Sequence, residues 1–152
     1  MNDIVSLLTP LSVHTPRFVT YTEKGWHLDA LIVTERIIDA TRVLADAGYT
    51  LETITGVDWP EQGNIELVYD LFHSDRRERA VLRVRIGRDG AEAKSISSLF
   101  SGAAWHEREA HDFFGVRFEG LADHTPLLLA EDADYHPLRK DYGAQANDVH
   151  QT

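Results

Sequence analysis

At 152 residues, 43% hydrophobic and 26% charged, the chain has the size and make-up of one globular domain with a modest core. Its formal charge of −10 weighs against nucleic-acid binding, because it repels phosphates, and against an unaided hold on an anionic membrane. The sequence contains no cysteine, which excludes disulfides, thiolate zinc sites and a self-supplied iron–sulfur cluster and fits a reducing compartment. No apolar run approaches the roughly 20 residues of a membrane helix. Asp3 and the lack of a basic leading region argue against a signal peptide. The expected location is the cytoplasm, or a membrane reached only through partners.

Residues 1–11 form a short apolar segment, expected to be a helix ending near Pro10. Residues 17–21 and 26–32 have strand character, with Glu23, Lys24 and Gly25 as a polar turn, so a hairpin is expected. Thr34 is an N-cap candidate for the clearest helix. Ile37, Ala40, Thr41, Leu44 and Ala47 make a stripe at helical spacing, and Gly48 closes it. Three strands follow, over residues 49–57, 65–72 and 80–86. The first alternates Leu51, Thr53 and Thr55 with other residues. The last two alternate with a period of two, Ile65, Leu67, Tyr69 and Leu71 in one and Leu82, Val84 and Ile86 in the other. A helix followed by such a meander predicts an α+β domain of two layers, a mainly antiparallel sheet packed by helices. Residues 87–93 read as a polar turn and 97–100 as a single helical turn. After Gly115 the periodicity stops; 120–126 and 131–140 read as ordered loop around an apolar Leu127, Leu128 and Leu129. Residues 141–152 are polar and expected to fray.

The densest stretch of chemistry lies between Ala103 and Val116. Ala, Glu and Arg favour a helix there, and Gly115 supplies a residue able to take positive φ at its end. Ala103, Ala110 and Phe114 share one face. Arg108 with Asp112, and Glu107 with His111, are four apart and so adjacent across a turn. His106, Glu107, His111, His124 and His136 are possible metal ligands, but His106 and His111 stand about 140° apart around a helix of 3.6 residues per turn. Glu107 and His111 would need further ligands from loops. Glu107 and Glu109 face different directions and form no acid–base dyad. No Gly-rich phosphate loop, Walker pattern or Gly-x-Ser-x-Gly elbow occurs. Glu107, Arg108, Glu109 and Asp112 are equally suited to an internal salt-bridge cluster and to binding something outside. His136, Pro137, Leu138, Arg139, Lys140, Asp141 and Tyr142 combine a stiff proline, a basic pair and an aromatic, a make-up favoured at interfaces; the competing reading is that this tail wraps its own domain.

The run from Trp105 through Glu107, Arg108, Glu109, Asp112 and Gly115 resembles the signature of the C, or thirty-kilodalton, subunit of the proton-pumping NADH:quinone oxidoreductases. Leu127, Leu128 and Leu129, the block from His136 to Tyr142, the strand segment at 66–71, and Gly56, Val57, Asp58 and Trp59 resemble the same family. The likeness covers residues 31–142. It implies a subunit of the peripheral arm that carries no cofactor and no active site of its own. Its implied partners are the large D-type subunit, against which it packs on the cytoplasmic side of the membrane, and other peripheral-arm subunits. It further implies that Trp105, Glu107, Arg108, Glu109, Asp112 and Gly115 support structure and assembly, and that His136, Pro137, Leu138, Arg139, Lys140, Asp141 and Tyr142 lie along the partner. On this reading residues 1–130 form the α+β domain and 131–152 an extended docking tail.

One segment departs from the pattern. Leu121, Ala122, Asp123, His124, Thr125 and Pro126 stand where that family usually continues His-Pro-Asp and a basic pair. Pro126 and the leucines after it look more like the small subunits of membrane-bound nickel–iron hydrogenases. The equivalent subunit of such a hydrogenase is therefore the first alternative, and a free-standing metal-dependent enzyme using Glu107 and His111 the second.

Overall fold

The structure is a computed structural model that describes residues 2–143. Helix α1 (Asn2–Leu8) gives way to a 3-10 turn at Pro10. Ile4 and Leu8 are its buried residues, and the hydroxyls of Thr9 and Ser12 donate back to Val5 O and Leu8 O. Strand β1 (Arg17–Phe18) and strand β2 (Leu28–Leu31) pair antiparallel, with the single helical turn α2 (Tyr21–Lys24) and left-handed Gly25 between them. The expected hairpin is present, with a helical turn in place of a tight one.

Helix α3 (Ile37–Asp46) buries Ile37, Ala40, Thr41 and Leu44. The buried Thr41 hydroxyl is satisfied by Ile37 O at 2.8 Å, so it costs the core little. Thr34 does not cap this helix. It opens a 3-10 turn (Thr34–Arg36), and its hydroxyl donates instead to Arg85 O on the sheet. Gly48 takes φ 91°, the left-handed conformation that glycine enters without a Cβ penalty.

Strands β3 (Thr50–Trp59), β4 (Asn64–His73) and β5 (Glu78–Gly87) form the antiparallel meander. The full sheet is mixed, in the order β1-β2-β5-β4-β3, because β2 lies parallel to β5. On the helix side, Leu28, Ala30, Ile65, Leu67, Tyr69, Leu71, Ala80, Leu82, Val84 and Ile86 join α1, α3 and the later helix in one core. A register shift between Leu51 and Thr53 resets the alternation of β3. Ile54, Gly56 and Asp58 therefore face the helices, while Thr53 and Thr55 meet on the other face, hydroxyl to hydroxyl at 3.0 Å. The expectation that Leu51, Thr53 and Thr55 share a face fails at this bulge.

Strand β6 (Glu92–Lys94), helix α4 (Ala103–Phe114) and strand β7 (Arg117–Glu119) complete the described elements. β6 and β7 pair parallel in a second, two-stranded sheet. The sequence predicts turn or aperiodic chain at both places. Three residues are too few to display a period, and only Ala93 and Phe118 are buried in them. Among the described residues no helix is long and apolar enough to cross a membrane.

Candidate assembly site at the end of helix α4

Helix α4 packs against β3, and the close approach depends on Gly56, where a Cβ would stand 2.5 Å from the Phe114 ring. Its inner face carries Ala103, Glu107, Ala110 and Phe114. Glu107 is fully buried; its carboxylate accepts the Ser95 hydroxyl at 2.6 Å and the Ile96 N–H at 2.8 Å. Burial pushes the carboxyl above the usual glutamate range despite those two donors. The nearby Tyr69 phenol is also buried, has no hydrogen-bond partner among the described residues, and is pushed far up by desolvation and then by the Glu107 charge.

The expected pairs four residues apart do not form. Asp112 Oδ2 accepts the consecutive N–H groups of Leu127, Leu128 and Leu129 at 2.9, 2.8 and 3.2 Å. Arg108 reaches Thr125 O at 3.0 Å and Pro126 O at 3.3 Å, with its guanidinium over the Trp105 ring. The helix thus uses one acid and one base to hold a loop rather than each other. The loop so held, residues 123–129, overlaps the segment in which the sequence departs from its family pattern. His111 donates from Nδ1 to Val116 O at 2.9 Å, so Glu107 and His111 do not converge. Among the described residues no three His, Asp or Glu side chains come together as a metal-ligand set. Glu109 and Trp105 stay exposed, and Glu109 has no ion pair among the described residues.

The C-terminus of α4 is where the tail returns. A helix leaves its last four carbonyls without intrahelical partners. Here each of the four is taken. Gly115, at φ 73°, donates its N–H to His111 O at 2.9 Å. His136 donates from Nδ1 to Asp112 O at 2.9 Å, and the Leu138 N–H donates to Phe113 O at 3.2 Å. Arg139 donates from Nε to Phe114 O at 2.7 Å, and from its terminal nitrogen to Arg88 O at 3.2 Å. A guanidinium at this end also meets the negative pole of the helix dipole. The fit is tight: a Cβ on Gly115 would lie 2.6 Å from His136 Nε2 and 3.1 Å from Arg139.

The next two residues are pinned to the sheet. The Lys140 N–H donates to Asp58 Oδ2 at 2.8 Å, and the Lys140 ammonium lies over the Trp59 ring. The Asp58 side chain is fully buried and also accepts Arg88 at 2.8 and 3.1 Å. Arg88 reaches on to Asp141 at 2.7 Å. The Arg88 guanidinium holds both carboxyls below the usual aspartate range. His136, Arg139 and Asp141 are therefore fastened to their own domain. Tyr135, Leu138 and Tyr142 face outward, Leu138 and Tyr142 each 53% exposed, and the two tyrosines stack at 5.6 Å. Pro137 spaces the two capping residues with a fixed φ. Of the polar stretch expected to fray, Asp141 is anchored, and residues 144–152 lie outside the described residues.

Asp58, Arg88 and Ser95 escape sequence reasoning as parts of this site. For Asp58 a signal exists: an acid on the same strand face as Ile54 points into the core, where it needs a cation. Arg88 and Ser95 sit in short irregular chain that carries no such pattern.

Known proteins are similar to this chain. Residues 30–148 match the model of the family described as respiratory-chain NADH dehydrogenase, 30 Kd subunit. The C subunit of the NADH-quinone oxidoreductase of Roseiflexus sp. (strain RS-1) is 35% identical over 127 residues, 80% of this chain and 73% of that protein. The C/D subunit of the NADH-quinone oxidoreductase of Phocaeicola vulgatus is 39% identical over 103 residues, 67% of this chain but only 20% of that longer protein. A solved structure of the membrane-bound sulfane sulfur reductase, an archaeal respiratory membrane complex, contains a chain that superposes with a TM-score of 0.78 at 26% identity, covering 99% of this chain and 91% of that one. With a family match over most of its length and a C subunit relative 35% identical over most of both chains, the chain belongs to the 30 Kd subunit family of respiratory-chain NADH dehydrogenases.

Proposed function

We propose that the chain is a non-catalytic, cofactor-free structural subunit in the peripheral arm of a membrane-associated oxidoreductase of the NADH:quinone type, held on the cytoplasmic side by its partners and docked on the large D-type subunit. The observation that carries this reading is the tail. Its polar side chains are consumed in capping α4 and binding the Asp58–Arg88 pair, which leaves Tyr135, Leu138 and Tyr142 as a rigid outward apolar edge. Aromatic and aliphatic anchors on an ordered backbone suit an interface, because their ordering entropy is met before binding. In Phocaeicola vulgatus the matching region belongs to a protein named as a C/D subunit, which supports a D-type neighbour. The test replaces Leu138 and Tyr142 together by serine. The isolated chain should keep its fold while its retention in the detergent-solubilised complex falls at least tenfold. Unchanged retention would remove the tail from the interface.

A second reading keeps the same role in a related energy-converting membrane complex, such as a nickel–iron hydrogenase. It is favoured by the superposition along almost the whole chain on a chain of the sulfane sulfur reductase complex. The identity of the large protein that co-purifies separates the two.

A further inference from the structure

The face of the main sheet that carries no helix holds a cleft of about 560 Å³ beside β1, β2 and β5. Its floor is charged. The buried Glu66 carboxylate accepts Arg83 at 3.3 Å and Arg85 at 2.9 Å. Asp29 accepts Arg83 at 3.2 Å and the Trp26 indole N–H at 3.0 Å, and Arg83 lies over that indole ring. Both carboxylates are thus already engaged. Arg83 is committed to both, whereas the other two cations of the cleft keep donors to spare. Arg17, which also lines the cleft, has no side-chain partner among the described residues. Arg85 is half exposed and uses only Nε, leaving its terminal nitrogens open. Three guanidinium groups face two carboxylates here, in a chain whose net charge is −10.

A second cleft of about 420 Å³ continues from the first, sharing His14, Leu31 and Arg85. Its lining sets apolar Val13, Leu31, Ile32 and Val33 beside Thr34 and the carboxylate of Glu35, and Val13 is 51% exposed. The combined groove offers cations at one end and apolar surface at the other.

We propose that this groove docks a segment of a neighbouring polypeptide that presents an aspartate or glutamate followed by apolar side chains. Arg17 and Arg85 receive the carboxylate, and Val13, Leu31 and Val33 receive the apolar residues. A planar guanidinium suits a carboxylate, and in the first cleft arginines outnumber carboxylates, while Glu35 in the second repels an acid there, so the acidic residue is directed to the Arg17 end. The proposal rests on the chain being part of a larger complex, but uses neither α4 nor the tail. The chain would then bridge two neighbours, one at the tail and one at the bare sheet face.

The test compares hydrogen exchange in the free chain and in the detergent-purified complex. The His14 and Thr15 amides donate no backbone hydrogen bond among the described residues, so they exchange fast in the free chain. In the complex their exchange should slow at least tenfold. Arg17→Glu combined with Arg85→Glu should abolish that slowing, whereas the Leu138→Ser, Tyr142→Ser variant, wherever it still assembles, should keep it. Equal exchange in free and assembled chain overturns the groove proposal while leaving the tail reading intact. Binding of the free chain to phosphatidylglycerol vesicles with the same dependence on Arg17 overturns it in favour of a lipid headgroup. A chain that assembles with nothing overturns both readings.

Discussion

Replacing Arg139 by alanine probes the capped helix end most directly. In the structure this side chain donates to Phe114 O and to Arg88 O, joining the last turn of α4 to the start of the loop after β5. The change removes two hydrogen bonds from a charged donor and the cation at the helix C-terminus. Such bonds contribute about 1.5 kcal/mol each, and the dipole contribution adds about 0.5 kcal/mol. Arg139 is half-buried, so water recovers part of the loss at both carbonyls. The net cost should be about 2 kcal/mol, which for a chain of this size lowers Tm by roughly 4–8 °C. Urea unfolding of the isolated chain measures the free energy, and limited proteolysis should show faster cleavage after residue 130. Arg139→Lys should recover the dipole contribution but not the two-pronged contact, and fall between. A variant within about 0.3 kcal/mol of the parent, with unchanged cleavage, would refute the capping role and make Arg139 purely a partner contact.

Gly115→Ala should cost more than a left-handed alanine alone, about 1 kcal/mol, because the new Cβ meets His136 at 2.6 Å; His136→Ala in the same background should recover part of the loss in a double-mutant cycle. Asp112→Asn, which removes the charge from the single oxygen that accepts Leu127, Leu128 and Leu129, should destabilise by about 2 kcal/mol and speed amide exchange at those three residues. Glu107→Gln tests the buried carboxyl. Its folded pKa is raised, so its stabilising contribution is full below the unfolded glutamate value and is lost as pH rises through the folded value. The unfolding free energy of the parent relative to E107Q should therefore decline across that window and level off above it; a difference that grows with pH would mean the carboxylate is stabilised rather than penalised.

The meander and the two long helices were legible because ten-residue strands and helices repeat their period often enough to be seen. Ile65, Leu67, Tyr69 and Leu71 all point into the core as their alternation requires, and Gly115 ends α4 where positive φ was expected. Spacing alone misled at Arg108 and Asp112. Four residues apart on a helix makes a pair available, but backbone groups of the loop at 125–129 offered both side chains better-defined partners. The parallel placement of β2 beside β5, and the pairing of β6 with β7, depend on chain crossovers that local pattern does not encode. The tail's chemistry was visible as a motif, but its use was not. His136 and Arg139 bind carbonyls 24 and 25 residues earlier, and no periodicity links a helix terminus to the side chains that will cap it.

The central claim is that this fold is a scaffold whose capped helix end and tail hold a large partner. The most direct measurement is to solubilise native membranes in mild detergent, isolate the complex through this chain, and map cross-links from Lys140 by mass spectrometry. The account predicts one large partner protein in equal amount, cross-linked at Lys140 and lost when Leu138 and Tyr142 are replaced. A chain recovered alone, or a large partner that cross-links elsewhere and is retained by the doubly substituted chain, would contradict it.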